Sequence, residues 1–187
     1  MLDLTSLVRV ALIGSREAPE RILQLCSMIG LRLSENGCVA HSGGARGCDN
    51  AFMRYYDPSR RKVYLPGYYF NGWNHNGQDF IALDSLEDFP RAIEEVKRVS
   101  DWETLSKRVR RLFLRNVAQV LGDDFKSPVE AVIYYAPVKR GYVQGGTRIA
   151  VNIAKNHGIP CFNLWEPLTL EHFEGILGVK HGLEEFM

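Results

Sequence analysis

Three short glycine-rich segments carry the residue types best suited to grip an anion: Gly14-Ser15-Arg16, Ser42-Gly43-Gly44-Ala45-Arg46-Gly47 with Asp49 just behind, and Gly145-Gly146-Thr147. Each follows an apolar run and precedes a stretch of helical periodicity. Such a turn leaves backbone N–H groups unpaired at the positive end of a helix, and glycine lets a phosphate reach them. Ser15 and the backbone after Gly14 would contact a phosphate or ribose. Arg16 either pairs with phosphate in bidentate fashion or is a surface cation. The Gly43, Gly44 and Gly47 backbone, with Arg46, would cradle a second anionic group, and the Thr147 hydroxyl adds a donor to Gly145 and Gly146. Asp49 is either a helix cap or a catalytic carboxylate. One glycine turn alone means little, because tight strand–helix turns need glycine anyway. Three converging on one crevice point to a nucleotide or nucleotide-derived phosphate ligand.

Several familiar chemistries are missing from the sequence. There is no G-x-x-x-x-G-K-[ST], and the first turn reads Gly14-Ser15-Arg16-Glu17 rather than G-x-G-x-x-G, which argues against a P-loop NTPase and an ordinary dinucleotide dehydrogenase. No H-E-x-x-H, nucleophile elbow or zinc-ligand spacing occurs, so neither metal nor cofactor is expected. The four cysteines, Cys26, Cys38, Cys48 and Cys161, form no C-x-x-C pair and read as reduced thiols. Asp49, Asp79 and Asp84 are the acidic residues that can be placed near the crevice. Cleavage of a glycosidic bond would draw on such a carboxylate.

The elements that must position these turns are legible as short apolar runs and amphipathic stretches. Residues 8–13, 38–41, 62–65, 131–135 and 159–164 read as strands, the β-branched and apolar runs of a buried sheet. Ile22, Cys26, Ile29 and Leu33 mark a helix closed by Asn36-Gly37, and Ala150, Ile153, Ala154 and His157 mark another closed by Gly158. A helix over about 50–56, two more after Phe89 and a short one over 168–177 complete the pattern. Strands alternating with helices give an α/β fold with a parallel sheet. Residues 1–187 are expected to form a single domain, with a helical and loop insertion over about 67–128 between strands three and four.

Within that insertion, residues 67–86 show no periodicity and are rich in aromatics: Tyr68, Tyr69, Phe70, Trp73 and Phe80. A stretch of this kind is a functional loop or lid. Its rings either stack on bases or anchor the loop in a satellite cluster. Lys107, Arg108, Arg111 and Arg115 share one helix side and either track a phosphate backbone or form a solvated face.

Lysine plus arginine number 23 against 22 acidic residues, a net charge of +1, so composition gives no argument for DNA. Hydrophobic residues at 45% and charged residues at 24% describe a globular chain. No apolar stretch approaches a membrane span and no secretory signal is legible, which makes the cytoplasm the expected location.

In combination the motifs resemble the SLOG superfamily, a Rossmann-like group that includes the DNA-processing A (DprA) proteins, the LOG cytokinin-activating hydrolases and the YpsA-like proteins. Gly14-Ser15-Arg16 resembles its first turn. Ser42 to Asp49 resembles its S-G-x-A-x-G-x-D segment, and Arg115-Asn116 resembles an R-N pair of the YpsA-like branch. Gly145-Gly146-Thr147, with the strand of residues 159–164 behind it, is similar to its G-G-T helix. The run Tyr64-Leu65-Pro66 with Phe70-Asn71-Gly72 is shared with small DprA-like proteins of bacteriophages.

The resemblance spans nearly the whole chain. It implies a Rossmann-like three-layer sandwich, a nucleotide site that Arg115 and Asn116 reach from the insertion, and self-association into a homodimer. Three activities are in play. One is nucleotide binding, with or without N-glycosidic hydrolysis. The second is DprA-like binding of single-stranded DNA to assist recombinase loading, and the third is an oligomeric scaffold with an idle crevice. LOG hydrolases carry P-G-G-x-G-T-x-x-E; here Gln144-Gly145-Gly146-Thr147-Arg148-Ile149-Ala150 has no carboxylate in register.

Overall fold

A computed structural model describes residues 2–179. Its centre is a parallel six-stranded sheet. The strands are β1 (Arg9–Gly14), β2 (Val39–Ser42), β3 (Arg61–Leu65), β6 (Phe80–Ala82), β7 (Ala131–Tyr135) and β10 (Cys161–Asn163). Their spatial order is β10-β7-β1-β2-β3-β6. Two small antiparallel hairpins stand apart from the sheet: β4 (Tyr69–Phe70) with β5 (Trp73–Asn74), and β8 (Val138–Lys139) with β9 (Tyr142–Val143).

Alternation along the strands feeds two cores. Val10 and Leu12 of β1 face one, with α1 (Glu20–Glu35), α2 (Cys48–Met53) and α6 (Pro167–Leu177). Ala11 and Ile13 face the other, with α3 (Phe89–Lys97), α4 (Lys107–Leu121) and α5 (Thr147–Asn156). Every residue of β7 is buried, as a strand covered on both faces requires. Helices on both sides of a parallel sheet give the three-layer Rossmann-like α/β architecture.

Two features differ from the sequence reading. The stretch 67–86 is ordered: it holds the β4–β5 hairpin and a sixth strand, β6, which pairs with β3 through Val63–Phe80, Tyr64–Ile81 and Leu65–Ala82. Polar side chains fix its shape. The Asn76 Oδ1 accepts from the backbone N–H groups of Gln78, Asp79 and Phe80, and the His75 Nδ1 accepts from that of Ala82. The helix after the second glycine turn covers Cys48–Met53, earlier and shorter than residues 50–56. Segment 67–128 carries helices, as expected, and its α4 packs on β2, β3 and α5 as part of one layer.

Candidate functional site

Chain order reverses between β1 and β7: from β1 the chain winds outward through β2, β3 and β6, then returns to lay β7 on the other side of β1. A crevice forms at such a reversal, outside the carboxyl ends of the strands. A cavity of about 500 Å³ occupies this place. Gly14, Ser15 and Arg16 line one wall, Gly145, Gly146 and Thr147 the opposite one, and Asp49, Arg115 and Asn116 the back. These nine expected residues are brought together. Gly43, Gly44, Arg46 and Gly47 do not line it; of their loop only Ala45 does. Arg46 is exposed outside it, so the second anion cradle is not formed within this cavity.

The Gly43–Gly47 loop instead shapes the site from behind. At Gly47, with φ of +80°, a Cβ would lie 2.5 Å from the carbonyl oxygens of both Ser15 and Arg16, so only glycine lets the two turns touch. Asp49, 2% exposed, accepts from the Gly14 N–H at 3.0 Å and from the Ala45 N–H at 3.3 Å, locking the first turn to the second. Burial pushes its carboxyl up, against the opposing pull of Arg115 and the backbone donors. An enclosed carboxylate with both oxygens engaged is a positioning group. Asp79 is held by Arg61 at 2.7 Å and Asp84 by Arg111 at 2.5 Å, and neither lines the crevice. The accessible carboxylate at the rim is that of Glu17, which the sequence reading did not single out.

Arg115 enters from α4, 9% exposed. Its guanidinium donates to the Gly43 carbonyl at 2.9 Å and to the Asn116 side chain at 3.2 Å, and lies 5.8 Å from the Phe70 ring. Asn116 in turn donates to the Gly146 carbonyl at 3.0 Å, which orients the third glycine turn. Burial lowers the Arg115 pKa, Asp49 offsets this, and the nearby Arg16 adds to it. Two guanidiniums converging on one cavity favour an anion there. At Gly145 and Gly146 a Cβ would meet nothing within 4 Å, so this turn is open to the crevice; at the start of α5 the Arg148 and Ile149 N–H groups donate to the Gly145 and Gly146 carbonyls at 3.3 and 3.2 Å. The Ser15 hydroxyl accepts from the Glu17 N–H at 3.1 Å and keeps its own O–H to donate.

Gln119 also lines the cavity and was missed; its Nε2, like the Arg115 Nε, is buried without a partner. The signal lay in the spacing, since Arg115, Asn116 and Gln119 are polar residues one and four apart on an otherwise apolar helix side. The basic run of α4 divides. Arg111 is spent on the Pro66 carbonyl and Asp84, Arg110 on the Trp102 and Glu103 carbonyls, and Lys107 and Arg108 are exposed. Arg16 lines the crevice, and Arg46, Lys139, Arg140 and Arg148 lie beside or between its lining residues in sequence; all five are exposed and make no ion pair among the described residues, while Glu17 is exposed in the same lining.

No family model matches the chain, and no curated protein matches it. Among solved structures, it is similar to DNA processing protein A from Helicobacter pylori, described for its single-stranded DNA binding mode. The likeness has a TM-score of 0.59 at 16% identity and covers 95% of this chain and 84% of that one. The shared property is the Rossmann-like fold. Among the described residues, no helix is long and apolar enough to cross a membrane.

Proposed function

We propose that this chain is a DprA-like member of the SLOG superfamily that binds single-stranded DNA, holding one phosphate of the strand in the crevice between Ser15-Arg16 and Gly145-Gly146-Thr147. The observation that carries this is that Arg16 and Arg115 line one crevice at the switch point together with the open Gly145-Gly146 turn. The exposed, unpaired cations on segments that also carry crevice residues support a ligand with more than one phosphate, and the similar fold of a single-stranded DNA binder agrees with it. A net charge of +1 does not decide the matter, because phosphate binding depends on local cations.

Salt titration tests it. Binding of an oligothymidylate should weaken linearly on a logarithmic scale, with a slope of roughly −0.7 per phosphate neutralised. A flat salt profile would exclude backbone recognition.

A free nucleotide is the second reading, favoured by the cavity volume of about 500 Å³, which lies within the roughly 300–1,000 Å³ usual for small-molecule sites. Thermal unfolding separates the two: a nucleotide at about 100 times its Kd would stabilise by roughly 2.7 kcal/mol. A response to mononucleotides with none to the oligonucleotide would replace the first reading by the second. Any N-glycosidic cleavage would fall to Glu17 rather than to the enclosed Asp49, and would be seen as release of free base.

A further inference from the structure

A second cavity, of about 290 Å³, opens on the other side of the Gly43–Gly47 loop. Gly44 and Val63 form part of its lining, Trp73 and Phe80 stand on one side, and Asn50 and Arg61 supply polar groups. The two rings stack at 4.8 Å with an interplanar angle of 16°, and Trp73 is 37% exposed. Arg61 lies 5.3 Å from the Phe80 ring and is already neutralised by Asp79 at 2.7 Å. The Asn50 side chain is unpartnered among the described residues. Gly44 lines this cavity and Ala45 lines the crevice, so the two sit back to back across one step of the chain.

We infer that this cavity seats a nucleobase: the base of the nucleotide next to the one whose phosphate lies in the crevice. The inference rests on the single-stranded DNA reading. A stacked aromatic wall takes a flat π surface without regard to sequence. The Asn50 amide offers one donor face and one acceptor to a base edge. Of its two lining guanidiniums, the half-buried Arg61 is already paired with Asp79 and the exposed Arg54 stands over the Tyr55 ring, so the aromatic wall rather than charge selects a flat group. Its volume lies at the lower limit for ligand pockets, enough for one ring system and too little for a whole nucleotide beside it.

The chain has three tryptophans, so replacing Trp102 and Trp165 by Phe leaves Trp73 as the sole reporter. In that protein, oligothymidylates should quench Trp73 emission and dTMP should leave it nearly unchanged. Trp73→Ala should weaken oligothymidylate binding roughly 5- to 150-fold more than dTMP binding, the loss of one stacked base, and Trp73→Phe should restore most of it. Unchanged emission on saturable oligothymidylate binding would overturn the base seat and leave the crevice reading standing. Quenching by dTMP equal to that by the oligonucleotide would overturn it too, since the crevice nucleotide would then fill the slot itself. Absence of oligothymidylate binding in the parent protein would remove both.

Discussion

Around Gly43, three side chains leave no room for a Cβ: it would meet the Gln119 Nε2 at 2.3 Å, the Asp49 Oδ2 at 2.8 Å and the Arg115 Cζ at 2.9 Å. At this scale the crevice is a set of polar groups fixed by one another. Asp49 holds two backbone turns, Arg115 holds Gly43, and Asn116 holds Gly146. Asp49→Ala would strand both N–H groups and leave Arg115 a buried cation without its neighbour, at a cost of about 3–5 kcal/mol. Denaturant unfolding should show that loss. A catalytic carboxylate would behave differently, with stability near that of the parent protein and activity lost. The sequence exposed the glycines and the flanking polar residues, since those types are few and regularly placed. It hid the division of labour: whether Asp49 faces ligand or backbone depends on a contact with Gly14, 35 positions away.

At the scale of elements, the crevice depends on how closely α1 and α2 approach. They cross at Gly30, where a Cβ would stand 2.0 Å from the Phe52 carbonyl oxygen. Gly30→Ala should therefore destabilise by roughly 2–3 kcal/mol, lowering Tm by about 4–12 °C. A Tm within a degree of the parent protein's would show that the helices separate without cost. The main strands and α1 were legible because each buries an apolar face with a simple period. The edge strand β6 was not, being only Phe80–Ala82, entered through turns built by Asn76 and His75. Such a short strand leaves no periodic trace, and its place beside β3 is settled by polar side chains within the turn. For α4, the sequence suggested a basic side, yet the side that matters carries Arg115, Asn116 and Gln119 inward.

Over the whole molecule, the sheet brings the turns at Gly14 and Gly145, far apart in sequence, to a single reversal point, with the Gly43–Gly47 turn behind them. The α/β class could be read from the alternation of elements, but strand order cannot be, because local patterns do not say which side of β1 receives β7. Acid sensitivity also belongs to this scale. His41 is buried beneath α4, its Nδ1 without a partner, and burial, aided by Lys62, holds its pKa down to about 4. The unfolded chain takes up that proton near pH 6.5 and the folded chain does not. Stability should therefore fall as pH drops from about 6.5 to about 4, by up to about 3 kcal/mol, and level off below. Urea unfolding at a series of pH values measures this, and His41→Gln should flatten the acid limb; a slope that persists in the variant would assign it to other groups.

The central claim is that the open turn before α5 receives a phosphate of single-stranded DNA. Gly146 has helical dihedrals and no neighbour within 4 Å of a Cβ, so a side chain can be added there without disturbing the fold. The most direct measurement is the affinity of a labelled oligothymidylate for Gly146→Glu and Gly146→Ala at one fixed salt concentration, with Tm recorded for each. A carboxylate facing the phosphate should cost at least about tenfold in Kd, and the methyl group alone less than that. Parent-like affinity in a folded Gly146→Glu protein would contradict the claim and put the strand elsewhere on the molecule.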